Sequence, residues 1–306
     1  MPGAETLEAT RRRDTVGDDE FFADERFVLD GMQPATIEGW STRIFDQGEG
    51  EAIVFVPILG GLEVVYAKQL RAFAATNRVL LHERTESLDR RVAVGPRVDE
   101  IRKVLDHLGI ERAHIVGLGE AGITTYNFGR EHPGRCLSLT VLCCGPLYRV
   151  KPYWLSKHVI EPAIDHLPVE YLPTDGLIRS FVIKTTSGNG PLPKHLIRHM
   201  VERIPNQMRV HKYSIAPIEH RHDMYPWAHT LDVPVLLVNR DDDKVAPVDE
   251  MGDLARLLPR CYGYEVLSDG GRFVTYTWAD RVNELLRRFF ARLAAGEPPS
   301  GPGGPG

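Results

Sequence analysis

Two carboxylates and an arginine carry most of the chemical interest of this chain. Glu120 follows the glycine-rich turn Gly117-Leu118-Gly119, Asp243 lies in Asn239-Arg-Asp-Asp-Asp-Lys-Val-Ala-Pro247, and Arg272 lies in Ser268-Asp-Gly-Gly-Arg-Phe273. A carboxylate close to apolar walls, as Glu120 would be in a cavity, has a raised pKa and works as a general acid or base. At a helix start it is equally at home as a salt-bridged or solvated anion, favoured by the helix dipole. Arg272 reads either as a clamp for an anionic substrate oxygen or as a partner of Asp243. A replacement base could come from His158, His166, His195, His199, His211, His220 or His222, with His220-Arg-His-Asp223 the densest cluster. A His-x-His pair without further ligands is not a metal signature, so no metal is expected.

The elements that must hold these groups follow from periodicity. Ala52-Ile-Val-Phe-Val-Pro57, Arg78–His82, the run ending at Ile115 and Val116, Leu137–Leu142 and Val233–Val238 are apolar runs expected for strands covered on both faces, and Tyr262–Leu267 is the last strand. Phe27 to Phe45 holds two short alternating runs that read as an antiparallel hairpin. Helices are expected at Leu62–Ala74, Val98–Leu108, Ile123–Arg130, Val248–Leu258 and Arg281–Leu293. Gly109 closes the second of these as a C-terminal glycine. The alternation of strand and helix predicts an α/β fold with a mainly parallel central sheet and helices on both faces. Between two sheet strands the texture changes to short helical patches (Trp154–Asp165, Leu177–Lys184, Pro193–Arg203), read as an inserted helical lid. The expected organisation is a disordered segment 1–20, a core of 21–145 and 230–294, a lid of 146–229, and a flexible Gly/Pro-rich tail 295–306.

Composition narrows the partners. The chain has 306 residues, 42% of them hydrophobic, with a net charge of −5. That is enough for one large domain, and it argues against nucleic acid or an anionic membrane as partner. The first 20 residues are too charged for a signal peptide, and Cys136, Cys143, Cys144 and Cys261 lack disulfide or zinc spacing, so the cytoplasm is expected. Adjacent Cys143 and Cys144 read as buried packing. No nucleotide loop follows the first strand, so no cofactor is expected. Tyr148, Tyr153, Trp154, Tyr171, Tyr213, Tyr225 and Trp227 read either as lining for a flat aromatic pocket or as lid packing.

This order of elements and motifs resembles the α/β-hydrolase superfamily over roughly Ile53–Gly145 and Val233–Phe290. Strand, glycine turn and helix around Gly117–Gly122 match the superfamily's nucleophile elbow, where Gly-x-Ser-x-Gly exposes a serine. The resemblance places the triad at Gly119, Asp243 and Arg272. Glycine supplies no nucleophile and arginine cannot take a proton, which implies a non-hydrolytic protein. The oxyanion hole of the superfamily maps to the backbone of Glu120 and of Leu59 or its neighbour Ile58. The chain is also similar to cofactor-independent tailoring enzymes of aromatic polyketides, such as those of anthraquinone-fused enediynes. That similarity implies substrate-assisted oxygenation of a small aromatic molecule with O2. Cofactor-free C–C bond formation or lysis, and an inactive ligand-binding protein, are the alternatives; a homodimer is left open. Glu120, Asp243 and Arg272 are then the catalytic candidates. Ile58, Leu59, Gly119, Cys144, Tyr148, Trp154, His220, His222 and Trp227 are the substrate contacts.

Overall fold

Consecutive aliphatic and β-branched residues form strands here because helices cover both sides of the sheet. In the computed structural model, which describes residues 16–300 apart from 60, 150–151, 172–175, 177–179, 181–182, 184–191, 205 and 269–270, eight strands form one sheet. They are β1 Met32–Ile37, β2 Trp40–Gln47, β3 Ala52–Val56, β4 Arg78–His82, β5 Ala113–Leu118, β6 Cys136–Leu142, β7 Val235–Arg240 and β8 Cys261–Leu267. Their order is β1-β2-β4-β3-β5-β6-β7-β8, with β1 and β2 antiparallel and the other strands parallel. Every residue of β3, β5 and β7 is buried. Among the described residues no helix is long and apolar enough to cross a membrane.

The hairpin begins later than its alternating pattern suggests. Residues 27–31 belong to a helix, α1 (Asp18–Gly31), which also takes up the end of the segment expected to be disordered; residues 1–15 lie outside the described residues. Phe21, Asp24 and Val28 recur at helical spacing and are buried, but the charged residues between them conceal that stripe. The helix is a clasp. Asp24 reaches the core, taking Arg71 Nε and Lys68 Nζ at 3.2 Å each and the Tyr276 hydroxyl at 2.9 Å. Asp18 and Glu25 reach the insertion, through His195 at 2.7 Å and His199 at 3.3 Å, and Arg203 also bonds Glu25.

The connection between β5 and the helix α4, after α2 (Ala67–Phe73) and α3 (Val94–His107), positions the site. Gly119 sits at φ +57, and α4 runs from Ala121 to Glu131. Close packing of α4 on the sheet requires Gly122, where a Cβ would meet Cys144 Cβ at 2.5 Å and Val141 Cγ1 at 2.8 Å. Gly122→Ala gains about 1 kcal/mol of helix propensity but overpacks a rigid contact worth about 1–3 kcal/mol. The expected net result is a loss of up to about 2 kcal/mol in urea unfolding.

Between β6 and β7 the chain forms the expected helical insertion. A continuous helical run covers Tyr153–His166, with a π-helical turn at Ser156–Ile160. The helix α5 covers Lys194–Glu202, and a second run covers Gln207–Glu219 with a π-helical turn at His211–Ile215. Of the patch expected at Leu177–Lys184 only Ser180 and Ile183 are among the described residues, both helical. After β7 come α6 (Val248–Leu257) and α7 (Ala279–Ala294). The first residues of the expected flexible tail are tied down: Glu297 accepts from Arg292 Nε at 2.9 Å, and its carbonyl accepts from the Tyr262 hydroxyl at 2.8 Å.

Candidate functional site

A cavity of about 480 Å³ lies between the insertion and the C-terminal ends of the central strands. Its floor is Ile58, Leu59, Leu118, Gly119 and Glu120; its roof includes Leu155, Ile160, Met208 and Ile215. Polar groups are few: Tyr148, Arg149, Ser156, Glu161, His211, Glu219, His220 and Arg272 join Glu120 around an aliphatic interior.

The elbow is braced from both sides. The Tyr66 hydroxyl donates to the Val56 carbonyl and accepts the Leu118 N–H, both at 3.0 Å, tying the exit of β3 to that of β5. The Gly119 N–H donates to the Leu142 carbonyl at 2.8 Å. The amides of Leu59 and Glu120 have no acceptor among the described residues, as expected of a pair kept for a ligand oxygen. At Gly119 an added Cβ would meet only the Tyr148 hydroxyl, at 3.6 Å. Serine therefore fits sterically at a positive φ that costs about 1–2 kcal/mol. Gly119→Ser is expected to fold with a lowered melting temperature and to give no burst of p-nitrophenol from p-nitrophenyl acetate, since Arg272 offers no base to activate the serine.

Three sequence-derived assignments change on contact with the structure. Glu120 is not a free acid–base group: Arg84 Nη1 binds both of its carboxylate oxygens, at 2.7 and 2.8 Å, in a buried pair. Asp243 does not pair with Arg272. Its Oδ1 accepts the Val245 and Ala246 amides at 2.8 and 2.9 Å, and Oδ2 accepts Arg240 Nε at 3.3 Å, because Arg240 precedes it by one turn. Arg272 reaches past it to the Tyr148 hydroxyl, with its guanidinium 5.2 Å from the Tyr148 ring centre.

Of the expected substrate contacts, Ile58, Leu59, Gly119, Tyr148 and His220 line the cavity, while Cys144, Trp154, His222 and Trp227 do not. Cys144 is buried under α4. Trp154 turns outward, 69% exposed. Trp227 Nε1 donates to the Asp223 carbonyl at 2.8 Å, and its ring stacks under Arg130. His222 Nε2 bonds the Gly145 carbonyl at 2.9 Å, and burial brings its pKa down to about 4. The His-x-His pair thus splits, since His220 faces the other way.

His220 Nδ1 lies 3.2 Å from Asp165 Oδ1, and Asp165 is itself held by Arg91 at 2.7 Å. With Nδ1–H donating to Asp165, Nε2 is the basic nitrogen, and no described residue bonds it. Burial draws this imidazole below its ordinary 6.5, against the opposing pull of Asp165. Its neighbour Glu219, which sequence reasoning missed, has no hydrogen bond to its carboxyl among the described residues. Burial and the Glu120 charge push that carboxyl up to about 8. Glu219 ends a four-residue helix with no periodic signal of its own. The one legible hint was its place beside His220.

No family model matches the chain. RutD of Caulobacter sp. (strain K31), which carries the name of a carbamate hydrolase, is 24% identical over 281 residues, spanning 86% of this chain and 100% of its own. A 2-hydroxy-6-oxononadienedioate/2-hydroxy-6-oxononatrienedioate hydrolase of Comamonas testosteroni is 24% identical over 270 residues, 80% of this chain and 90% of that one. The meta-cleavage product hydrolase of Pseudomonas fluorescens IP01 superposes with a TM-score of 0.69 at 18% identity, covering 86% of this chain and 99% of the other. These hydrolases overturn the expectation of a non-hydrolytic oxygenase, cyclase, lyase or inactive binder, and with it the link to polyketide and enediyne tailoring. Eight strands in this order, the elbow after β5 and the insertion after β6, together with these neighbours, give the protein the α/β-hydrolase fold.

Proposed function

We propose that the protein is a hydrolase that cleaves an ester or lactone carbonyl of an apolar small molecule by directly activated water. The observation that carries this reading is the adjacent pair Glu219 and His220 on one cavity wall, with His220 oriented by Asp165. Surroundings that push two neighbouring proton affinities apart mark an acid and a base. Gly119 and Arg272 leave the usual positions without nucleophile and base, and the open space beside Gly119 accommodates a water.

In this mechanism neutral His220 takes a proton from water through Nε2 as the oxygen attacks the carbonyl carbon. The amides of Leu59 and Glu120 hold the oxyanion that forms. Protonated Glu219 delivers its proton to the leaving oxygen as the carbon–oxygen bond breaks. The imidazolium then returns its proton to the Glu219 carboxylate, and acid and alcohol leave.

The pH dependence follows with a definite sign. Activity needs neutral His220 and is lost as pH falls through a value below 6.5; it needs protonated Glu219 and is lost as pH rises through about 8. A pH-stat assay on δ-decalactone is expected to give a bell-shaped kcat/KM between these limits. With p-nitrophenyl esters, whose leaving group needs no proton, the alkaline limb disappears. No turnover of alkyl esters or lactones, or a lactonase rate still rising above pH 9, would overturn the proposal.

A further inference from the structure

We infer that the Arg272–Tyr148 corner of the cavity is a seat for a carboxylate borne by an otherwise apolar substrate. The inference rests on the hydrolytic reading and names its substrate class. Two arginines line the cavity and a third, Arg84, stands behind Glu120; of the three, two are matched. Arg84 is taken by Glu120 at 2.7 and 2.8 Å. Arg149 is taken by Glu161 and by the His220 carbonyl, each at 2.7 Å. Arg272 alone has no carboxylate within ion-pair distance among the described residues; its hydrogen-bond partner is the neutral Tyr148 hydroxyl.

A half-buried cation whose hydrogen-bond partner is a neutral hydroxyl gains from an incoming anion. The donors are arranged for it. Nη2 serves Tyr148, which leaves other N–H groups of the planar fork for a two-oxygen acceptor. The Tyr148 oxygen accepts from Arg272, so its own proton remains to be donated. Leu155, Ile160, Ile164, Met208 and Ile215 give the substrate an apolar surface, and the other lining cation, Arg149, is already held by Glu161.

The seat is also at the reacting end. The Tyr148 hydroxyl lies 3.6 Å from where a Cβ at residue 119 would stand. The acid function of the substrate therefore sits within a few bonds of the carbonyl held by the Leu59 and Glu120 amides. The other charges bearing on Arg272 are Asp243, already engaged by Arg240, and Glu219. Glu219 adds no competing charge at neutral pH and gains one above about 8, where it also faces Glu120 and Glu161.

Calorimetric titration of the full chain with decanoate, decan-1-ol and decyltrimethylammonium isolates the charge at constant chain length. At pH 7, decanoate is expected to bind at least about tenfold tighter than the alcohol, with the ammonium weakest, and its affinity is expected to fall several-fold at pH 9. Arg272→Gln should abolish the preference, and Tyr148→Phe should reduce it while leaving the alcohol unaffected. Equal affinity of the wild-type protein for decanoate and decanol, or a preference intact in Arg272→Gln, overturns the inference. Because this readout needs no turnover, it can fail while the bell-shaped profile stands, and the profile can fail while the charge preference stands.

Discussion

Arg84→Met is expected to lower the stability of the fold by about 3–5 kcal/mol, because it strands a buried carboxylate. The Arg84 side chain is 2% exposed and that of its partner Glu120 is 7% exposed. Arg84 also bonds Glu86 at 2.9 Å, and Arg97 joins the network through Glu100 at 2.8 Å, so the loss reaches beyond one pair. Removing both ends of the main contact, Arg84→Met with Glu120→Leu, removes the orphaned charge and should recover most of the deficit. Urea unfolding of the two variants and the parent measures the difference. Equal midpoints for the single variant and the parent would show that the pair contributes nothing to folding.

The second large effect falls on catalysis. His220→Asn is expected to reduce kcat/KM on an alkyl lactone by about 10²–10⁴-fold, the usual worth of a positioned general base, with little change in melting temperature. Asp165→Asn should cost less than His220→Asn, because Asp165 orients the ring and does not meet the substrate. His220→Asn should also lose the acid limb of the pH profile, whereas Asp165→Asn, which removes the anion that favours the imidazolium, should move that limb to lower pH. If His220→Asn keeps the parental rate, the base lies elsewhere.

Much of the scaffold was legible because burial on both faces leaves an unambiguous pattern. The runs ending at Pro57, Val116 and Val238 are strands for that reason, and the strands end within a residue or two of them, at Val56, Leu118 and Arg240. The glycine turn at 117–122 also announced itself, since only that composition allows a left-handed residue under a close-packed helix. Cavity-facing residues of the insertion were less legible. Trp154, expected among the substrate contacts, stands outside at 69% exposed, because the short turn Tyr153–Leu155 that carries it is too brief to show which face is buried. Glu120 was assigned a chemical role that its partner forecloses, and that partner, Arg84, lies 36 residues away. The raised carboxyl of Glu219 comes from walls built by distant segments, which no local window contains.

The helix at Asp18–Gly31 precedes the first strand, yet it grips the sheet side through Asp24 and the insertion through Asp18 and Glu25. Part of the insertion is therefore anchored by a segment that lies outside the cavity lining. Such a segment can be lengthened, trimmed or recharged without altering a single residue that touches the ligand. The hold on the insertion and the lining of the cavity are consequently carried by different residues.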